Sequence, residues 1–207
     1  TINTLYLNGI YKGFYNTVER YRESYFQAHF DSTSAWDIRI NDGLEDGDGV
    51  AWVDMMSKLL TMSQDTASKP KWDAAAAEVD LDECIDYWLM NIYMGMWDWP
   101  NNNWVAARER IPAGRWRLHI WDAEGSFGHG GTKPPNYDTI LTDLRTNSGT
   151  GTSQQSEMFR RLYASPEFKL RVADRVNKWF FNSEVLDDRV PATCRIKQRS
   201  DEMKATF

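Results

Sequence analysis

Asp98-Trp99-Pro100-Asn101-Asn102-Asn103-Trp104-Val105-Ala106-Ala107-Arg108 and, after Pro112-Ala113-Gly114, Arg115-Trp116-Arg117-Leu118-His119-Ile120-Trp121-Asp122 form the stretch whose reading settles the fold. Asn103 to Arg108 reads as one strand, Arg115 to Trp121 as its partner, and the proline and glycine between them as the turn. Folding the chain about the Pro112/Ala113 midpoint sets Asn103 opposite Asp122 and Trp104 opposite Trp121. Facing residues of a hairpin hold their Cβ atoms about 4.5–5.5 Å apart, so Asn103 and Asp122 are expected to offer oxygens to one divalent ion. Asp98 would stand at the same mouth.

Hard cations prefer oxygen ligands, and magnesium is usually held by one or two carboxylates together with substrate phosphates. A protein therefore has to supply only a few such groups. The spacing from Asp98 to Asn103 also has the D-x-x-x-x-N form of a kinase catalytic loop, in which the aspartate takes the hydroxyl proton and the asparagine binds metal. Asp122, ahead of Glu124-Gly125-Ser126-Phe127-Gly128, falls where a second metal-binding aspartate is kept. Aspartate and asparagine are common in turns, so each residue alone has a plain reading as a cap or turn residue. Their joint placement about one hairpin gives the motif its weight.

The helix leading into this loop is the clearest in the chain. Asp80-Leu81-Asp82-Glu83 reads as an acidic N-cap with a glutamate three residues on, a variant of the capping box. From it Leu81, Ile85, Trp88, Leu89, Ile92 and Met96 follow one face. Pro100 stops continuation and pushes the residue before it out of helical geometry.

Upstream, residues 4 to 19 read as a hairpin around Asn8-Gly9, the strongest short-range hairpin signal, followed by a short helix from Arg20 to Phe30. The acidic run 41–49 lacks the ordered ligands of an EF-hand and reads as a solvated turn, with Asp48 capping the next helix. Val50 to Met62 reads as that helix, burying Trp52, Met55, Met56, Leu59 and Leu60. Asp73 to Val79 reads as another. Residues 123 to 136, rich in glycine and proline, read as a mobile loop beside the cation. They lack the Walker A pattern, and a substrate-side or activation-like segment is the functional alternative. Thr146 to Ser153 reads as a flexible connector, 154 to 182 as two helices with Ser165 and Pro166 starting the second, and 186 to 204 as a last helix.

The 207 residues suffice for one sizeable core or two small lobes, and a single catalytic-type domain is the natural reading. Ten tryptophans support either a heavily cored domain or a ligand-binding surface. The net charge of −6 argues against nucleic acid and anionic membranes as partners. No run reaches the ~20 apolar residues of a membrane span. Cys84 and Cys194 have no metal-ligand spacing, and Cys84 reads as a small buried helix residue. His119 and His129 form no cluster, which argues against zinc.

Leu5-Tyr6-Leu7-Asn8-Gly9-Ile10-Tyr11-Lys12-Gly13-Phe14-Tyr15-Asn16-Thr17-Val18-Glu19-Arg20, Asp98 to Trp104, Trp121-Asp122-Ala123-Glu124, Ser156-Glu157-Met158-Phe159-Arg160-Arg161-Leu162 and Ser165-Pro166-Glu167-Phe168 together resemble the CotH kinase-like family, named for a bacterial spore-coat protein and also found in secreted bacterial proteins. The resemblance spans nearly the whole chain. It implies an α+β, atypical protein-kinase-like fold: an N-terminal β-hairpin, then a mostly helical lobe with a β-hairpin carrying the metal site. It further implies ATP with Mg2+ or Mn2+ and phosphoryl transfer to serine or threonine of a protein substrate.

On that pattern Asp98 is the catalytic base, Asn103 and Asp122 bind metal and nucleotide, and Glu19 sits where a kinase glutamate pairs with the ATP-contacting lysine. That lysine would precede the Asn8-Gly9 hairpin, so the chain is expected to be incomplete at its N-terminus, and Lys12 reads as an exposed strand residue. An exposed Glu19 beside Arg20 is the plainer alternative, and Glu124 reads as an outer acid or a solvated one. The resemblance also points to a secreted or cell-surface location. Two rivals keep the same residues: a pseudokinase or cell-surface binding module without turnover, and a metal-dependent hydrolase.

Overall fold

The computed structural model describes residues 2–134, 136–145 and 153–182. The helix expected over 186–204, Cys194 and the connector before Ser153 lie outside them. The chain divides into two compact units, residues 1–21 with 177–207 and residues 22–176.

In the first unit β1 (Ile2–Leu7) and β2 (Ile10–Asn16) pair antiparallel, with a bulge between Leu5 and Tyr6. Asn8 (φ 52°) and Gly9 (φ 76°) both adopt the left-handed conformation that a two-residue hairpin turn needs, as the Asn-Gly pair predicts. Glu19 lies beyond the end of β2.

The second unit runs α1 (Glu23–His29), β3 (Trp36–Ile40), β4 (Gly43–Asp46), α2 (Val50–Ser63), α3 (Lys69–Ala76), α4 (Leu81–Met94), β5 (Trp104–Glu109), β6 (Arg117–Ile120), α5 (Gln154–Tyr163) and α6 (Pro166–Val176). Its four strands form one antiparallel sheet in the order β4-β3-β5-β6. The expectation of a solvated acidic turn over 41–49 is corrected here, because Gly43–Asp46 pairs with β3 as an edge strand. β3 itself was hidden by the charges in Trp36-Asp37-Ile38-Arg39-Ile40. Asp37 is 1 % exposed and is tolerated because Arg110 (3.0 Å) and Arg108 (3.6 Å) approach it from the end of β5 and the residue beyond. Burial pushes its carboxyl above the usual range, against the pull of the two guanidinium groups.

Helix α4 is organised as its sequence requires. Asp80 accepts the Glu83 amide at its start, and Gly95, at φ 58°, closes its end in a left-handed cap. Leu81, Ile85 and Trp88 are buried, Leu89 and Ile92 pack partly, and Cys84 lies in the core as a small apolar residue. Helix α2 matches its expected span, and Asp48 accepts the Val50 amide at 2.9 Å. Its inward face uses Met62 in place of Leu60, which is 41 % exposed. Helix α3 runs earlier than the expected Asp73–Val79: Pro70 suits a first turn, and Val79 has already left the helix to bridge Trp116. Helix α1 is shorter at both ends than expected, and α6 begins at Pro166 as expected.

The core is aromatic. Six of the ten tryptophans, Trp36, Trp52, Trp88, Trp99, Trp104 and Trp116, are buried. Most of that residue type therefore serves packing rather than a ligand platform. Trp52 stacks on Trp104 at 5.9 Å and meets Trp116 edge-on at 4.9 Å, joining α2 to the sheet.

On the sheet's other face His119 of β6 lies against Phe26 and Phe30, with centroids 5.1 and 6.4 Å away. Burial, helped by the charge of Arg117, pushes its pKa down to about 4. Between the unfolded value near 6.5 and this one, the unfolded chain holds a proton that the folded chain refuses. Stability from this residue is therefore intact above pH 6.5 and falls as pH drops toward 4, by about 3 kcal/mol. Denaturant titrations of wild type and His119→Phe at pH 7 and pH 4 check this. The variant should lose less stability on acidification, and an equal loss in both would refute the assignment.

Candidate functional site

All of the site lies in the second unit. Four residues past the end of α4, Asp98 begins a short loop that β5 closes. Its carboxylate is held from both sides: Asn103 Nδ2 donates to Oδ1 at 2.9 Å and Asn102 Nδ2 to Oδ2 at 3.0 Å. An ionised carboxylate only accepts, so the amide nitrogens must face it and the Asn103 carbonyl oxygen is turned away, available to a cation. Two oxygens carry about four lone-pair sites, so Asp98 retains acceptor capacity for an incoming hydroxyl.

The loop is anchored from below. Trp99 is 1 % exposed and donates through Nε1 to the Tyr87 hydroxyl at 2.7 Å; the Trp99–Pro100 peptide is cis. The Pro100 carbonyl accepts from Gln155 Nε2 at 3.1 Å, while Gln155 Oε1 accepts from Trp88 Nε1 at 2.9 Å. Helices α4 and α5 thus fix the backbone that presents Asp98.

The expected register is corrected by one residue. Trp104 pairs with Ile120 and Val105 with His119, so continuation of the ladder would set Asn103 beside Trp121 rather than Asp122. The strands also end inside the expected bounds, at Trp104 and Ile120. Register follows turn geometry, and the turn here is longer than the sequence midpoint implies. Gly114 folds so tightly onto β5 that a Cβ would lie 2.0 Å from the Glu109 carbonyl oxygen, and Trp116 is drawn away to bridge Val79. Asn103 (φ 62°) and Asp122 (φ 56°) both leave the ladder in left-handed conformations, which asparagine and aspartate tolerate better than most residues. What links the two is Asp98. It is bonded to Asn103, and its charge helps raise the pKa of Asp122.

Asp122 is exposed, and its carboxyl is held above the usual range, first by a hydrogen bond to Glu124, then by burial and the charges of Glu124 and Asp98. Glu124 is held below its usual range by backbone and Asp122 hydrogen bonds, with His129 adding a favourable charge. Glu124, expected as an outer or solvated acid, is a direct neighbour of Asp122. The charges of Glu124 and Asp98 both act against ionisation of Asp122, and a cation there would offset them. Among the described residues no three His, Cys, Asp or Glu side chains converge as a ready-made metal cage. The donor set suits a hard cation completed by phosphate oxygens rather than a closed protein site.

The glycine- and proline-rich segment is tied down where a mobile loop was expected. Trp97 N–H donates to the Gly125 carbonyl at 2.7 Å, Phe127 N–H to Met94 at 2.6 Å, and Lys133 Nζ to the Trp99 carbonyl. With Asp98 it encloses a groove of about 370 Å³ lined by Trp97 to Asn102, Thr132, Lys133, Tyr137 and Asp143. A neighbouring pocket of about 420 Å³, between the end of α4 and Phe127, shares Lys133 and Tyr137. Lys133 and Asp143 were not singled out in the sequence. The one available signal was that Lys133 is the sole lysine of the loop, and no periodicity connects it to Asp143.

The unit is α+β and holds one aspartate between two amides, next to an acidic pair past a strand end. The chain belongs to the CotH kinase family: the family model described as CotH kinase protein matches residues 2–203 of the 207. No curated protein and no solved structure matched the chain.

Proposed function

We propose that the chain is the catalytic domain of an atypical kinase that moves the γ-phosphoryl group of ATP to a serine or threonine of a protein. The observation that carries this reading is the Asp98 carboxylate, clamped by Asn102 and Asn103 at the mouth of the groove and within electrostatic reach of Asp122. Asp98 orients the acceptor hydroxyl and takes its proton. The acceptor oxygen bonds to the γ-phosphorus as the bridging P–O bond breaks, and ADP leaves with the bonding pair. A Mg2+ or Mn2+ ion, when bound, supplies neutralisation of phosphate charge. The Asn103 carbonyl oxygen and the Asp122 carboxylate would hold it, with Glu124 adjoining. Glu19 belongs to the other unit, and the kinase reading rests on the second unit alone.

The family's spore-coat association supports a secreted or cell-surface location. No helix among the described residues is long and apolar enough to cross a membrane.

Thermal melting with ATP and magnesium, against magnesium alone, tests the reading. Wild type should be stabilised by the nucleotide–metal pair and Asp122→Ala should lose most of that gain. Absence of any gain in the wild type would overturn the kinase reading. Exposed Trp97 and Phe127 at the rims of the two cavities favour one rival, a binding module without turnover. Nucleotide stabilisation with no phosphate transfer would select that rival.

A further inference from the structure

Lys133 is built into the groove in a way that loop packing alone does not require. Its side chain is 8 % exposed, and Nζ lies 2.9 Å from Asp143 Oδ2 while donating to the carbonyl of Trp99, the residue that follows Asp98. The ammonium also sits over the Trp99 and Tyr137 rings, 5.6 and 5.8 Å from their centroids. Asp143 is held in turn by the Tyr137 hydroxyl at 2.7 Å. An ammonium has three N–H donors; the Trp99 carbonyl takes one, and Asp143 is held as an ion pair.

The backbone supplies an independent observation. Lys133 has φ 45°, a left-handed conformation that strains a long side chain and persists where the surroundings enforce it. Glycines flank this segment at 128, 130 and 131, yet the strained position carries the lysine. Among the described residues lining the groove that also holds Asp98 it is the sole cation, paired with Asp143. A phosphoryl group in flight spreads negative charge over its peripheral oxygens, and fixed donors aimed there stabilise it most. Asp98 by itself can only repel that charge.

We propose that Lys133 is the phosphoryl-contacting cation of this site, its third N–H directed to an oxygen of the transferred group, with Asp143 and the Trp99 carbonyl holding it in place. The inference rests on the kinase reading and deepens it. Lys133 carries no proton in the reaction; it neutralises charge and orients the group for attack by the acceptor hydroxyl beside Asp98.

The test uses the full chain, with calorimetric titration of magnesium–ADP and of magnesium with the non-hydrolysable β,γ-imido analogue of ATP. Lys133→Gln keeps a donor for the Trp99 carbonyl and removes the charge. It should weaken the triphosphate analogue roughly tenfold, the loss expected for one charge-assisted hydrogen bond, and leave ADP affinity unchanged. Lys133→Arg should restore most of the difference. Asp143→Asn removes the countercharge while keeping the shape and should tighten the analogue, an outcome available even where Lys133→Gln does not fold. Equal losses for both nucleotides, or a weaker analogue in Asp143→Asn, would reduce Lys133 to a loop strap. Wild type that binds neither nucleotide would remove the kinase reading itself, whereas wild-type binding that Lys133→Gln leaves untouched removes only the assignment of Lys133.

Discussion

Asp98→Asn is expected to lower phosphate transfer to a protein acceptor by about 10²–10⁴-fold, the usual contribution of a positioned general base. The substitution keeps the size of the side chain but turns one of its two acceptor oxygens into a donor, so one amide contact of the loop is lost while folding and magnesium–ATP stabilisation should stay near wild type. The loss should fall on kcat, because the carboxylate acts on the proton of the acceptor hydroxyl as the new bond forms and not on nucleotide binding. Asn102→Ala removes one of the two amides that hold the carboxylate and should produce a smaller loss of the same kind. Radiolabel transfer assays beside melting curves check both. A variant that transfers phosphate at the wild-type rate would eliminate Asp98 as the base, and one that loses nucleotide stabilisation instead would move it to the binding of ATP.

Trp88→Ala should be the most damaging substitution in the helical core. The indole is 1 % exposed, meets Phe159 and Phe168 edge-on at 5.1 and 6.0 Å, and donates to Gln155 at 2.9 Å. Truncating a buried tryptophan costs about 3–5 kcal/mol through lost burial and the cavity left behind. For a domain of this size that lowers the melting temperature by roughly 6–20 °C. Trp88→Phe keeps most of the volume but leaves Gln155 Oε1 without its donor, a cost of about 1–3 kcal/mol. Because Gln155 also holds the Pro100 carbonyl, the phenylalanine variant should slow transfer in its folded state by loosening the loop that carries Asp98. Thermal and denaturant unfolding, with activity measured well below the transition, separate the two effects. Unfolding unchanged in Trp88→Ala would contradict the packing described here.

Local rules of the chain specify much of this fold. The Asn8-Gly9 hairpin, the capping of α4 by Asp80, the burial of Cys84 and the start of α6 at Pro166 all follow from local rules that act within a turn or two of chain. β3 was not readable, because the charges of Asp37 and Arg39 break the apolar pattern. The groups that neutralise Asp37, Arg108 and Arg110, lie about 70 residues further along the chain. The hairpin of β5 and β6 was legible, and its register was not. One residue of slip depends on how Gly114 folds against Glu109 and on the draw of Trp116 toward Val79.

The sequence by itself determined the family, the hairpin at its start, the helix that leads to Asp98 and the kind of donor, oxygen rather than sulfur or imidazole, that the site offers. Local propensity and side-chain chemistry are sufficient for those. Only the tertiary structure brought Asn102 and Asn103 onto the two oxygens of Asp98, joined Asp122 to Glu124, and set Lys133 and Asp143 in the same groove. Those arrangements come from long-range packing, in which a buried charge goes where its partners are and leaves no periodic trace along the chain.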